Sequence, residues 1–184
     1  MRAFVAIALE AAARREIAAA EQAVLAGGGA ARWVREENLH LTVAFLGNID
    51  EALVPTVDRR LAPLARSMPQ QQLVLAGVGG FPRNRPRVLW LGLAAGHEWL
   101  VDLTRAVRAV LAEGLDIELD QREPSAHVTL ARVERPERAL LPGLERAFAG
   151  RAIVSRADRL TLFSSVIGRG GPTYAVEREW LFRS

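Results

Sequence analysis

The chain is 184 residues long, 50% hydrophobic and 24% charged, with 24 Lys+Arg against 21 Asp+Glu for a formal net charge of +3. Such a chain can bury a real core, as one domain of two joined lobes over residues 1–184, and is no disordered polyelectrolyte. Cysteine is absent, which removes disulfides and thiolate metal sites and fits a reducing compartment. All 24 cationic side chains are arginine, whose planar fork suits phosphate. The first apolar run, Ala3 to Leu9, has seven residues. It is too short for a membrane span and lacks a signal peptide's cleavage region, so a cytoplasmic protein with no membrane partner is expected.

In chain order, Ala3 to Leu9 predicts a first strand, with Phe4, Ala6 and Ala8 on one face and Ala3, Val5, Ile7 and Leu9 on the other. The alanine-rich run from Glu10 to Ala26 predicts a helix ended by Gly27-Gly28-Gly29. A short strand at Ala31 to Val34 precedes a longer one from Asn38 to Leu46, stopped by Gly47-Asn48. Asp50 caps a helix reaching Ser67, with Pro55 near its first turn. Strands follow at Gln71 to Val78 and Arg87 to Leu93, joined by a turn of breakers that carries Arg83 and Arg85.

A helix from Glu98 to Glu113 then leads through Gly114 and a region around Ile117 to Leu119 into a strand from Ala126 to Val133. A helix over Pro136 to Phe148, interrupted by Pro142-Gly143, and strands at Ile153-Val154, Arg159 to Ile167 and Tyr174 to Phe182 complete the chain.

Two of these strands carry one pattern: His40-Leu41-Thr42-Val43-Ala44 and His127-Val128-Thr129-Leu130-Ala131. With three histidines and six threonines in the chain, two chance copies of His-x-Thr have a probability on the order of a few in a thousand. Strand alternation sets His40, Thr42 and Ala44 on one face and His127, Thr129 and Ala131 on another, each backed by aliphatic side chains. The expected fold is therefore α+β with an internal duplication: two pseudo-twofold-related lobes, each a mainly antiparallel sheet with helices outside, enclosing a central cleft.

Three stretches carry a family resemblance: Trp33-Val34-Arg35-Glu36-Glu37-Asn38-Leu39-His40-Leu41-Thr42-Val43-Ala44-Phe45-Leu46-Gly47; Phe81-Pro82 leading to Pro86-Arg87-Val88-Leu89-Trp90-Leu91-Gly92-Leu93; and His127-Val128-Thr129-Leu130-Ala131-Arg132. They resemble the two-histidine phosphoesterase superfamily, and within it the LigT-like branch of bacterial RNA 2',3'-cyclic phosphodiesterases, also called 2'-5' RNA ligases. The likeness runs from Phe4 to the Leu162-Phe163-Ser164-Ser165 and Gly171-Pro172-Thr173-Tyr174 stretches. One departure is Ala126, where that branch usually has proline directly before the second histidine.

The resemblance implies opening of a 2',3'-cyclic phosphate on RNA or an oligonucleotide to a 2'-phosphomonoester, with 2'-5' ligation as the reverse. It implies His40 as general acid, His127 as general base, Thr42 and Thr129 on the phosphate, and Arg132 in a phosphate-binding position. The residues themselves support two imidazoles that divide acid and base work near neutrality, without saying which does which. Threonine hydroxyls beside them suit the nonbridging oxygens, and Ala44 and Ala131 would leave room for substrate. Arg132 has the parity opposite to His127, so it reaches the cleft only if the strand ends or bulges there. Phe45 holds that place in the first copy.

Phe4 is a candidate for stacking on a base, with core packing as its other use. Arg83, Arg85 and Arg87 either track an RNA backbone or solvate a turn; Ser164-Ser165 is a further candidate for ligand contact. His97 is expected to be solvated or capping, and Tyr174 to bury its ring. A metal site is not expected, because two histidines lack third and fourth ligands. No cofactor and no obligate protein partner are expected, and the chain is expected to be a monomer. Alternative readings are a phosphate-binding module without turnover, and a phosphodiesterase for linear 2'-5' linkages or small cyclic nucleotides.

Overall fold

Strand pairing, more than helix packing, defines the architecture. The computed structural model describes residues 1–26, 31–115, 117, 119–120, 124–134, 140–168 and 171–184. Its strands are β1 (Arg2–Ala8), β2 (Arg32–Trp33), β3 (His40–Asn48), β4 (Gln71–Phe81), β5 (Val88–Ala95), β6 (His127–Arg132), β7 (Ile153–Ala157), β8 (Arg159–Gly168) and β9 (Gly171–Leu181). They form one sheet in the order β7-β4-β5-β6-β3-β1-β8-β9, with β2 added beside β6. Four helices are described: α1 (Ala11–Leu25), α2 (Val54–Ser67), α3 (His97–Ala112) and α4 (Leu140–Phe148). α1 and α4 pack together, on β7 and β4 respectively, while α2 and α3 pack together, on β9 and β3 respectively.

The expected α+β fold of two antiparallel lobes is present, as β3-β1-β8-β9 and β6-β5-β4-β7 running outward from a seam between β3 and β6. That seam is narrow. Its register holds one pair, Leu41 with Val128, both 0% exposed, and burying side chains of this size contributes about 1.5–3 kcal/mol each. An antiparallel pair has a local twofold. Continuing this register by one residue sets His40 across from Thr129 and His127 across from Thr42. Beyond the seam β6 pairs with β2, Arg132 with Arg32 and Ala131 with Trp33, so β3 and β6 part there. A single core cluster runs under both halves.

One expectation fails in both copies at the same place. Ala6 pairs with Thr42 but Val5 with Ala44; Trp90 pairs with Thr129 but Leu89 with Ala131. One residue on the neighbouring strand is matched by two, so Val43 and Leu130 are the extra residues of β-bulges, which reverse the alternation. Ala44 and Ala131 therefore enter the core instead of sharing the histidine faces. Phe45 and Arg132 turn toward the cleft side in their place.

The helix signals are read closely. Asp50 Oδ1 accepts from the Ala52 N–H at 2.9 Å, capping a short 3-10 turn at Glu51–Leu53 that runs into α2, with Pro55 in its first turn. α1 starts at Ala11 without a side-chain cap of its own. Glu10 there ties to β7 instead, donating its N–H to Ser155 Oγ at 3.0 Å and accepting the Arg156 N–H at 2.8 Å. Ile117 and Leu119 lie outside any strand. The expected helix start at 136–139, the glycine run 27–29 and residues 169–170 lie outside the described residues.

Candidate active site

Both histidines are held by the same backbone device. His40 Nδ1 lies 2.6 Å from the Asn38 carbonyl oxygen, and His127 Nδ1 lies 2.7 Å from that of Ser125, in each case two residues upstream. A carbonyl only accepts, so each Nδ1 carries the hydrogen and each Nε2 is left as the working nitrogen. In the neutral ring of His40 that Nε2 accepts from the Thr42 hydroxyl at 3.0 Å. When the ring is protonated, the same atom becomes a donor.

The electrostatics are alike in direction. Burial lowers the pKa of both imidazoles below the ordinary value near 6.5, while the carbonyls on Nδ1 push the other way. Repulsion from His127 lowers His40 further, so the two rings sense each other across the seam; Arg132 does the same to His127. Thr42 and Thr129 are half-buried on the histidine faces.

Each ring also rests on an aromatic wall. His40 lies 5.0 Å from Phe4 and 5.5 Å from Tyr174 between ring centroids, the latter edge-on, and Phe4 stacks on Phe163 at 5.3 Å. His127 meets Phe81 edge-on at 5.3 Å and Trp90 at 6.4 Å. Phe4 is only 4% exposed. Covered by His40, Phe45, Phe163 and Tyr174, it supports the His40 ring and offers no open face to a base. The ring presented to solvent in this group is Phe45, 53% exposed.

The bulge of β6 delivers Arg132 to the cleft, where its charge acts on His127 and, from the opposite lobe, on Tyr174. Tyr174 is half-buried, and burial raises its phenol pKa although Arg132, Arg2 and Arg35 pull it down. Ser164 and Ser165 are half-buried on β8 opposite Ala3 and Arg2. Arg83 and Arg85 are exposed in the β4–β5 turn, while Arg87 donates to the Glu134 carbonyl at 2.9 Å. His97 is exposed at the start of α3. Among the described residues no three His, Cys, Asp or Glu side chains gather as a metal-ligand set.

Sequence reasoning missed Asn38, Phe81, Trp90 and Phe163 as parts of the site. Asn38 is buried, and its side chain donates to the Pro172 carbonyl at 2.9 Å. Arg35 donates to the same oxygen at 2.7 Å and to Thr173 Oγ1 at 3.2 Å. The residue that orients His40 thereby also straps down the start of β9, next to Tyr174. No side-chain pattern signals this role, because the group that orients His40 is a backbone carbonyl.

A two-lobed α+β fold that brings paired His-x-Thr strands to one seam defines a phosphoesterase of the two-histidine class. Known proteins agree. The family model described as LigT like Phosphoesterase matches residues 7–90. The RNA 2',3'-cyclic phosphodiesterase of Aquifex aeolicus is 31% identical over 153 residues, covering 81% of this chain and 80% of that protein. The protein of the same name from Thermotoga maritima is 30% identical, over 99% of this chain and 96% of the relative. The crystal structure of Escherichia coli LigT complexed with 3'-AMP superposes with a TM-score of 0.83 at 26% identity, covering 100% of this chain and 98% of that one. The chain belongs to the LigT-like phosphoesterase family.

Proposed function

We propose that this protein hydrolyses RNA 2',3'-cyclic phosphate ends to 2'-phosphomonoesters without a metal ion, with 2'-5' joining as the reverse reaction. The observation that carries the reading is the matched presentation of two Nε2 atoms, each locked through Nδ1 to a carbonyl two residues upstream, on either side of a one-pair seam. His127, neutral, takes a proton from the attacking water. The oxygen bonds to phosphorus, the bond to O3' breaks, and protonated His40 delivers a proton to O3'. Thr42 and Thr129 donate to the nonbridging oxygens, and Arg132 offsets their charge.

The substrate named for the Aquifex and Thermotoga relatives supports this choice. In this reading the protein works as a cytoplasmic monomer on RNA or oligonucleotide ends. No helix among the described residues is long and apolar enough to cross a membrane.

The test is phosphorus NMR of 2',3'-cyclic nucleotides and short cyclic-ended RNAs incubated with protein in excess chelator. The expected product is the 2'-monophosphate, with losses of about 10²- to 10⁴-fold in His40→Ala and His127→Ala. Activity that vanishes with chelator and returns with zinc would overturn the mechanism, and a 3'-phosphate product would overturn the regiochemistry. Tight binding with no product would leave a phosphate-binding module.

A further inference from the structure

A cyclic phosphate end brings one nucleoside to the reactive phosphorus, and the attacking water needs no wall of its own. Yet aromatic rings flank both histidines. The wall beside His127 is built as a shelf. A Cβ at Gly79 would lie 2.3 Å from the Trp90 ring and one at Gly92 would lie 3.3 Å from it, so the indole lies across two glycines of β4 and β5, where side chains would displace it. Phe81 sits 5.3 Å from that indole, tilted by 34°, and is 39% exposed.

Backbone hydrogen bonds hold the rim: Arg85 N–H to the Pro82 carbonyl at 3.2 Å, Arg87 N–H to the Phe81 carbonyl at 2.7 Å, and Val133 N–H to the Arg87 carbonyl at 2.8 Å. On this rim Arg83 and Arg85 are exposed, and among the described residues neither is held in an ion pair with a carboxylate. Flat aromatic surface beside free guanidinium groups suits a stacked base followed by a phosphate.

We propose that Phe81 and Trp90 form a second nucleoside subsite, taking the nucleoside whose 5'-oxygen is bonded to the reactive phosphate, with Arg83 and Arg85 meeting the next phosphate of that strand. The inference rests on the acid and base roles proposed above. On a 2'-5' linkage the ribose 3'-hydroxyl attacks phosphorus and gives its proton to neutral His40. The P–O3' bond forms, the P–O5' bond breaks, and protonated His127 supplies the proton that leaves with O5'. The products are a 2',3'-cyclic phosphate and a free 5'-hydroxyl, and the reverse sequence joins them without any co-reactant. The alcohol that replaces water is thus a nucleoside, held on the His127 side.

Calorimetric binding tests this apart from turnover. The ligands are adenosine 2'-monophosphate and a 2'-5'-linked diadenosine that carries a 3'-phosphate on its second nucleoside and lacks the attacking 3'-hydroxyl on its first, so that it cannot be cleaved. The dinucleotide is expected to bind wild type about tenfold or more tightly than the monophosphate. Phe81→Ala should abolish that advantage and Phe81→Tyr restore it. The double variant Arg83→Ala/Arg85→Ala should weaken the dinucleotide severalfold, flatten its salt dependence, and leave hydrolysis of 2',3'-cyclic AMP unchanged. An advantage that is absent in wild type, or that survives Phe81→Ala, overturns the subsite. If wild type still opens 2',3'-cyclic AMP in that case, the proposed function stands. If the dinucleotide advantage follows Phe81 but neither 2',3'-cyclic AMP nor the dinucleotide bearing its 3'-hydroxyl is turned over, the subsite stands and the catalytic reading falls.

Discussion

Replacing Glu21 by Gln is expected to stabilise the protein increasingly as pH rises. Glu21 lies on the buried face of α1 with Ala13, Ile17, Ala20 and Val24, is 5% exposed, and its Oε1 has no hydrogen-bond partner among the described residues. Burial raises its carboxyl pKa from 4.5 to about 8, so the neutral acid is the form that fits. An acid whose folded pKa exceeds its unfolded value contributes stability that is full below 4.5 and lost as pH rises through about 8. A tenfold change in proton affinity corresponds to about 1.4 kcal/mol, so this one carboxyl withdraws at most about 5 kcal/mol across that window. Total stabilities of single domains are about 5–15 kcal/mol, which makes the effect large enough to measure.

The amide of Gln keeps the shape and cannot ionise. Urea unfolding of wild type and Glu21→Gln at pH 5, 7 and 8.5 should show a difference that grows with pH in favour of the variant. His40 and His127, whose folded pKa values are lowered, work in the opposite sense: their contribution is present above the unfolded value near 6.5 and lost as pH falls. The difference between the two proteins cancels them. Parallel pH curves for wild type and variant would refute the argument.

Because burial lowers both imidazoles, and activity needs one neutral and one protonated ring, the bell of kcat/KM against pH should peak below about 6.5; a maximum above 7.5 would contradict this. Arg132→Gln should raise KM for a cyclic phosphodiester about tenfold through loss of a charged contact. It should also move the limb belonging to His127 upward in pH, since the guanidinium holds that ring down. Asn38→Ala should cost about 1–3 kcal/mol in urea unfolding, because it removes the donor to the Pro172 carbonyl from a buried position. The carbonyl that orients His40 is backbone and persists, so kcat should fall far less than in His40→Ala; an equal loss would show that the side chain does more than hold β9.

The His-x-Thr pairs were legible as a shared face because they are local: two residues apart on a strand, an imidazole and a hydroxyl lie on one side whatever the rest of the chain does. Asn38, Phe81 and Trp90 were not legible as site residues, for different reasons. Asn38 orients His40 through its backbone carbonyl, which no side-chain pattern reports. Phe81 and Trp90 reach His127 only through the pairing of β4 with β5 and of β5 with β6, where Gly79 and Gly92 leave room for the indole. The single-pair seam likewise depends on which edge strands meet, and that is a property of the whole sheet.

The bulges show how far alternation carries and what lies beyond it. Strict alternation puts Ala44 and Ala131 on the histidine faces, yet in both lobes a bulge falls one residue after the threonine and breaks the period. Each bulge sends the alanine into the core and swings the next side chain over the cleft rim. In the first copy that side chain is Phe45 and in the second it is Arg132. The same backbone device therefore furnishes an apolar surface near His40 and a cation near His127. The rims, like the aromatic walls, give the two histidines unequal surroundings, so the acid and base division proposed above draws on residues that the duplicated motif does not itself contain.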